Sequence, residues 1–404
     1  MRPKISLASV AALAVYITVA TPNYAQPAAQ RADQPPAIAG TAIPSRAKTA
    51  ALPPKVLIRD ARLSDLIVLE AYPERIEKSR QRFDTDLKSS AVEAARTSNV
   101  PQYIIVEASR RWSVDRVITV AFSGGTTAVL EQISGAAQDW IRLSGAAIRF
   151  QFKDRQGQFL RWAPTDTVHS SDIRIAFKTG REDGGYWSMV GRESVNRSLV
   201  GGKPGDASMN LAGFDVKLPA DWQSVVRHEF GHALGFQHEH QSPAVGCDFR
   251  FENDPGYVDE KIDGQYVKNP NGKRPGLYTS LSGKPNEWKK PVVDFNLRQL
   301  PDTRAFSVGL FDRLSIMKYR FGEEMFIAGR NSPCYSELHE NDSLSHDDII
   351  GIRTAYPVDE AEVASLNMSR TASAKALKSL PNPPDSVRNA TNIQLKALGI
   401  SSPP

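Results

Sequence analysis

The chain has 404 residues, of which 41% are hydrophobic and 24% are charged, and its formal net charge is +5. This length and composition suit a folded protein with a sizeable core, in one large domain or two ordinary ones. Lys and Arg are interleaved with Asp and Glu along the chain, and no RNA-binding signature or Cys-pair finger occurs. The mild basicity therefore indicates a solvated surface, and we expect no nucleic-acid partner.

Residues 1–25 have the pattern of a secretory signal peptide. Arg2 and Lys4 precede an apolar run at 5–20, and small residues follow it. Cleavage after Ala20 or Ala25 fits the pattern, and we favour Ala25. The alternative, a transmembrane anchor, requires a longer run, and no later segment is apolar enough to span a membrane. We therefore predict a secreted protein, extracellular or, in a bacterium, periplasmic.

Residues 26–109 are predicted to form a leader. The stretch 26–54 is rich in Ala, Pro, Gln and Thr and has little to bury, which is typical of a flexible segment. From Lys55 onwards, the chain contains apolar residues together with charged residues that favour helices. This pattern predicts some helical structure up to about residue 98.

The next part of the chain predicts a sheet packed on a helix. A helix is expected at 126–145, because one apolar stripe runs along it and Gly145 ends it. Strands are expected at 116–122, 147–153, 172–178, 184–192 and 207–214. This order of elements predicts an α+β fold with a twisted mixed sheet.

The remainder of the chain is less regular. Residues 241–310 are rich in Pro, Gly, Asn and Lys and read as a long loop. A compact turn is expected at 311–321, followed by a helix at 344–357. From residue 358 the chain is polar and rich in Ala and Ser, so 358–404 is predicted to be a loosely attached C-terminal extension.

Cys247 and Cys334 are the two cysteines of the chain. In an exported protein a lone pair is most simply one disulfide. It would close a loop of nearly ninety residues and contribute about 4 kcal/mol on the chain-entropy account. Two free thiols or a metal pair remain as alternatives, although neither cysteine belongs to a CxxC motif.

The stretch 228–240, HEFGHALGFQHEH, holds four of the seven histidines of the chain. A helix is predicted at 218–235, on which His228 and His232 are four residues apart and point the same way. That spacing suits two ligands of one tetrahedral ion. Glu229 follows the first ligand, one residue round the helix, where it can reach a metal-bound water without binding the metal.

Gly235 lies three residues after His232 and can adopt a positive φ, which turns the chain back. His238 would then return towards the other two histidines as a third ligand. Three neutral nitrogen ligands leave one position of a zinc ion open, and an open position is typical of a catalytic site.

The spacing H-E-x-x-H-x-x-G-x-x-H resembles that of the metzincin clan of zinc endopeptidases. The stretch SIMKY at 315–319 is similar to the methionine turn of that clan, with Met317 beneath the ligands. Tyr319, two residues after this Met, is shared with the astacin-like and serralysin-like branches. The chain lacks the glycine-aspartate repeats of serralysins, and Glu239 after His238 matches the astacin-like pattern, so the astacin-like branch is favoured.

The resemblance implies a zincin-like catalytic domain at 110–357, with an active-site helix and a C-terminal helix after the methionine turn. It also implies one catalytic Zn²⁺ and hydrolysis of peptide bonds by zinc-activated water. Glu229 would be the general base. Tyr319 would bind the zinc at rest and then hydrogen-bond the oxyanion, or it is a packed aromatic residue. Met317 would support the ligands by packing.

The resemblance further implies protein or peptide substrates, bound in an extended form along a sheet edge. The residues predicted at that edge are Trp187, Ser188, Met189, Val190 and Gly191. A plain edge strand without substrate contact is the alternative.

Two side chains of the motif have open roles. In the family, the counterpart of Glu239 anchors the new N-terminus after activation; otherwise Glu239 is a surface carboxylate. His240 is predicted to lie behind the ligands or at the surface.

The leader is interpreted as the propeptide of a zymogen, with a carboxylate from Asp60, Asp65 or Glu70 on the zinc. A stalk or part of the sheet domain is the alternative. Two other functions stay open: a non-catalytic binding module on the same scaffold, and a zinc hydrolase acting on a non-protein amide such as that of a cell wall. The sequence leaves the oligomeric state open.

Overall fold

The computed structural model describes residues 72–180, 184–284, 286–299, 311–337 and 341–400. The predicted signal peptide and the three carboxylates proposed as a zinc plug lie outside these residues. Within the described ranges, every helix is too short or too polar to cross a lipid bilayer.

A five-stranded sheet lies at the centre of the fold. Its strands are β1 (Val117–Phe122), β2 (Arg149–Gln151), β3 (Ile173–Ala176), β4 (Tyr186–Ser188) and β5 (Met209–Leu211). They are arranged in the order β2-β1-β3-β5-β4, and β4 alone runs antiparallel to its neighbour. The predicted mixed α+β sheet is therefore confirmed, with strands shorter than their sequence patterns.

Helices cover the sheet and its two ends. They are α1 (Glu74–Ser98), α2 (Gln102–Arg110), α3 (Thr127–Ser144), α4 (Trp222–Ala233), α5 (Leu277–Ser282), α6 (Lys290–Leu297), α7 (His346–Ala355), α8 (Glu360–Lys378) and α9 (Asp385–Ala397). The predicted stop of α3 is confirmed, since Gly145 has a φ of 66° and its N–H bonds Ile141 O. The N-cap of α7 is Ser345, whose hydroxyl accepts the N–H of Asp348.

The main core lies between the sheet and helices α3, α4 and α7. Its fully buried members include Ile118, Val120, Phe122, Leu130, Ile133, Ala137, Trp140, Val226 and Phe230. Val226 and Phe230 belong to α4, so burying this face turns the other face of the helix towards the methionine turn. The core therefore sets the direction in which the histidines point.

A second core joins the two ends of the described chain. It is formed by Tyr72, Ile76, Phe83, Leu87, Ala91, Ala94, Ile105, Val106, Trp187, Met189, Leu199, Ala376, Leu377, Val387 and Ala390. Residues 360–397 thus form two packed helices, and the expectation of a loosely attached extension is wrong. The small alanines of this stretch give it a weak hydrophobic pattern, but they also allow α8 and α9 to approach α1 and α2 closely.

A third core occupies much of the predicted loop at 241–310. Val245, Phe249, Leu277, Leu281, Trp288, Val293, Leu297, Tyr319, Phe321, Met325, Phe326 and Cys334 are buried together. The described parts of this stretch contain α5, α6 and the hairpin of Lys261–Ile262 and Gln265–Tyr266. The loop prediction is therefore too simple, because the apolar residues that pack here are far apart in sequence. The predicted disulfide between Cys247 and Cys334 is confirmed.

Candidate metal centre

Helix α4 carries the first two histidines of the motif. It begins after Asp221, and its C-terminal carbonyls are satisfied from neighbouring elements. Nε1 of Trp112 donates to Ala233 O at 2.8 Å, and the hydroxyl of Tyr356 donates to Leu234 O at 2.6 Å. These two buried bonds hold the end of the helix at a defined place, one residue before the chain reverses.

Gly235 makes the reversal that the sequence predicts. Its φ is 101°. Its N–H donates a hydrogen bond to His232 O, and the N–H of Phe236 donates one to Gly231 O. An added Cβ at Gly235 would lie 3.2 Å from Cγ of Arg111, so the turn is also crowded. After this turn the chain returns His238 to the side of His228 and His232.

The three imidazoles meet at one point. Nε2 of His232 lies 3.2 Å from Nε2 of His228 and 3.0 Å from Nε2 of His238. A tetrahedral zinc ion with Zn–N bonds of ~2.0–2.1 Å separates its nitrogen ligands by about 3.3 Å. The nitrogens are thus placed nearly as such an ion requires.

Nδ1, the outer nitrogen of each ring, is hydrogen-bonded to an oxygen that can only accept. Nδ1 of His228 donates to Ile316 O at 2.7 Å, and Nδ1 of His232 donates to Phe236 O at 2.8 Å. Nδ1 of His238 donates to Oε1 of Gln241 at 3.0 Å. Each proton therefore lies on Nδ1, and each Nε2 presents a lone pair to the shared point.

Three converging lone pairs repel one another unless a cation lies between them. Three neutral imidazoles suit a divalent transition metal, and a three-histidine zinc site keeps a fourth position open. Within the described residues, His228, His232 and His238 are the group identified as able to hold a metal ion. The donor set therefore fits the predicted zinc.

The methionine turn is tied to the histidines through Asp348. The carboxylate of Asp348 accepts a hydrogen bond from the hydroxyl of Ser315 at 2.6 Å and another from the N–H of Ile316 at 2.8 Å. This fixes the carbonyl of Ile316, which receives Nδ1 of His228. The sequence analysis missed Asp348, although its place three residues after the cap Ser345 is a recognisable capping-box signal.

Met317 packs directly against the metal-binding helix at Gly231. An added Cβ at Gly231 would overlap Sδ of Met317 and lie 2.9 Å from Cζ2 of Trp140. Met317 is 3% exposed, so the thioether cannot move into solvent. The glycine inside the motif, which the sequence analysis did not single out, is what allows the turn to approach the helix.

We expect Gly231→Ala to destabilise the protein by ~1–3 kcal/mol, because the new methyl must displace Met317 or Trp140 in a packed core. Denaturant unfolding measures the change. Gly135→Ala is the matched control: Gly135 lies in α3 and an added Cβ there meets nothing within 4 Å. The control should be neutral or stabilising by up to ~1 kcal/mol. Equal stability of both variants would contradict the close packing.

Glu229 and Tyr319 line a cavity that also reaches His228. The cavity has a volume of about 50 Å³ and is also lined by Tyr186 and Asp221. The ring of Tyr319 lies 4.4 Å from that of His238 and 5.4 Å from that of His228, measured between centroids. The two side chains predicted to do chemistry are thus beside the histidine cluster.

Lys318 lies in the methionine turn, next to Met317 and Tyr319. Its side chain is 1% exposed, and Nζ donates to Tyr319 O, Cys334 O and Oγ of Ser336. The buried ammonium therefore ties the backbone of Tyr319 to the disulfide-bonded Cys334.

Glu239 and His240 face different surroundings. Oε1 of Glu239 accepts the N–H of Asp312 at 3.0 Å, and burial raises the pKa of Glu239 to about 7. The ring of His240 is 1% exposed, and its Nε2–H donates to Asn296 O. Burial lowers the pKa of His240 well below its ordinary value, so the ring is neutral and does not lie at the surface.

The predicted substrate strand lies at one end of the sheet and its residues are buried. Trp187 packs on the ring of Tyr72, with centroids 6.1 Å apart. The carbonyl of Ser188 accepts the hydroxyl of Tyr72 at 2.6 Å. Substrate contact at this strand stays a prediction.

Together, the fold and the site define an α+β protein with a three-histidine cluster suited to a transition metal. No protein-family profile matches the chain, and no curated protein matches it. Among solved structures, one structure of myroilysin is 28% identical, with a TM-score of 0.45, and the match covers 62% of this chain and 97% of that chain. A crystal structure of myroilysin is 27% identical, with a TM-score of 0.37, and the match covers 61% of this chain and 86% of that chain.

Proposed function

We propose that this protein is a secreted zinc endopeptidase of the astacin-like type. The observation that carries the proposal is the convergence of three Nε2 lone pairs next to Glu229, in the order and spacing of the motif. His228, His232 and His238 hold the zinc. The bound ion supplies a Lewis acid that activates water and polarises the scissile carbonyl.

Glu229 is the general base of the proposed reaction. It takes a proton from the attacking water and passes it to the leaving amine. Its side chain is 2% exposed and lines the same cavity as His228, so a carboxylate is available beside the ligands and shielded from bulk solvent.

Tyr319 donates a hydrogen bond to the carbonyl oxygen of the substrate as negative charge develops on it. The resemblance also assigns it to the zinc at rest. Its ring lies against His238 and His228, and Lys318 and the third core hold its backbone and ring. Met317 and Gly235 support the ligands by packing and by the chain reversal.

The protein substrate would lie along the strand containing Trp187 and Ser188. The hydroxyl of Tyr72 bonds the carbonyl of Ser188, so Tyr72 would have to leave this carbonyl before a substrate could pair with it. We propose that export removes the signal peptide and that maturation removes a leader ending before Tyr72. Glu239 would then bind a chain terminus in the adjoining cavity of about 490 Å³.

The test is metal removal. We expect the purified protein to contain one zinc per chain and to digest casein, because hydrolysis needs the ion held by the three histidines. Dialysis against a chelator should abolish digestion, and added zinc should restore it. Elemental analysis and casein digestion measure the two effects on the same sample.

His169→Ala is the matched control for a ligand variant such as His232→Ala. His169 is half-buried and bonds Gly202 O, away from the histidine cluster. The control should keep its zinc. Bound zinc without digestion of casein or gelatin would favour the binding module or the non-protein hydrolase, and a wild-type protein that binds no zinc would refute the proposal.

A further inference from the structure

We propose that Gln241 is a positioning residue for the metal centre, which it links to the end of helix α6. The inference rests on the proposed zinc site. Of the three acceptors that receive the outer nitrogens of the histidines, Ile316 O and Phe236 O are backbone carbonyls, whereas Gln241 offers a side chain. The orientation of His238 thus depends on a residue that can be replaced.

The amide of Gln241 has one possible orientation. Its Nε2 donates to Phe295 O at 2.7 Å and to Arg298 O at 3.1 Å. Carbonyl oxygens only accept hydrogen bonds. If the amide were flipped, its Oε1 would face the carbonyl oxygens of Phe295 and Arg298 with no hydrogen between them. Oε1 must therefore point to Nδ1 of His238, which must carry the proton.

The consequence concerns the other nitrogen of His238. With the proton held on Nδ1, Nε2 of His238 has a free lone pair directed at Nε2 of His232 and the shared point. The opposite tautomer would place a proton on Nε2 and block metal binding. A partner that fixes the tautomer and the ring angle of a ligand in this way strengthens metal binding.

The anchor on the other side is the C-terminal end of α6. The last carbonyls of a helix have no partner within it. Gln241 donates to the carbonyl of Phe295 and to that of Arg298, the residue that follows the helix, and the ring of His240 donates to the carbonyl of Asn296. Residue Gln241 is 7% exposed, so these bonds are shielded from water. The segment predicted as a long loop thus supplies the support for the third ligand.

The experiment measures zinc affinity on the full chain by competition with a chromophoric chelator. Gln241→Met keeps the size of the side chain and removes its hydrogen bonds. We expect it to weaken zinc binding by ~10–100-fold. Gln241→Glu retains an acceptor for Nδ1 of His238, but its second oxygen faces the carbonyl oxygens of Phe295 and Arg298, so its affinity should also fall below that of wild type. The visible spectrum of the Co²⁺-substituted protein should change in the Met variant.

Gln299→Met is the matched control. Nε2 of Gln299 donates to Val245 O and Ser242 O, so it ties the same segment together without touching a histidine. Its zinc affinity should equal that of wild type. Wild-type affinity in Gln241→Met, or an equal loss in Gln299→Met, overturns the inference. If Gln241→Met does not fold, wild-type affinity in Gln241→Glu overturns it.

The two proposals fail in different ways. A wild-type protein that binds no zinc overturns the proposed function and this inference with it. Zinc binding by the wild type that does not depend on Gln241 overturns this inference alone.

Discussion

Glu229→Gln should reduce casein hydrolysis by ~10²–10⁴-fold while the zinc content stays at the wild-type level. The amide has nearly the size of the carboxylate but cannot take a proton from water. The proposed ligands are the nitrogens of His228, His232 and His238, so the substitution leaves them unchanged. Initial rates and elemental analysis of the same preparation measure both effects.

The matched control is Glu324→Gln. Burial raises the pKa of Glu324, and this residue lies in the turn of Glu323–Met325, outside the cavity that Glu229 lines. We expect it to retain full activity. Full activity in Glu229→Gln would instead refute the role of Glu229 as the base, and loss of zinc in that variant would show that Glu229 is needed for metal binding.

Glu193→Gln should destabilise the protein by ~3–5 kcal/mol, since it removes a buried charge and leaves its partners buried. Glu193 is 2% exposed; its carboxylate accepts Nε of Arg80 at 3.0 Å and Nε of Arg110 at 2.8 Å. Burial raises the pKa of Glu193, but the two guanidiniums outweigh it and hold the pKa below its usual range. Denaturant unfolding at neutral pH measures the loss.

An exposed ion pair on α1, the helix that carries Arg80, serves as the control. Glu74 and Lys78 are 2.8 Å apart, but their side chains are 65% and 71% exposed. Solvent screens such a pair, so Glu74→Gln should change stability little. A similar small change in Glu193→Gln would contradict the view that the buried cluster holds α1 and α2 to the sheet domain.

The same cluster bears on maturation. Removal of the predicted leader 26–109 would take Arg80 away from Glu193 and expose the apolar residues of α1 that build the second core. We therefore expect Tyr72–Arg110 to remain in the mature protein, in contrast to the boundary drawn from the sequence. N-terminal sequencing of the secreted form decides between them, since a start near 105–116 would support removal.

Local patterns predicted much of the fold. Strand β1 and helix α3 occupy nearly the residues expected, because each has a clear apolar period and a glycine or a cap at its end. The stretches at 241–310 and from 358 onwards were misread. Their buried residues are small or widely spaced, and they gain partners only from segments far away in the chain.

The sequence by itself determined that the three histidines converge, that Glu229 is next to the first of them, and that the chain reverses at Gly235. These residues lie within a dozen positions of one another, so helix geometry relates them directly. The tertiary structure alone decided which atoms orient those histidines. Ile316, Asp348 and Gln241 reach the site from turns and helix ends that are brought together only by the packed cores. Hydrogen bonds between distant segments leave no periodic signal in the chain, so their partners become visible only when the chain is folded.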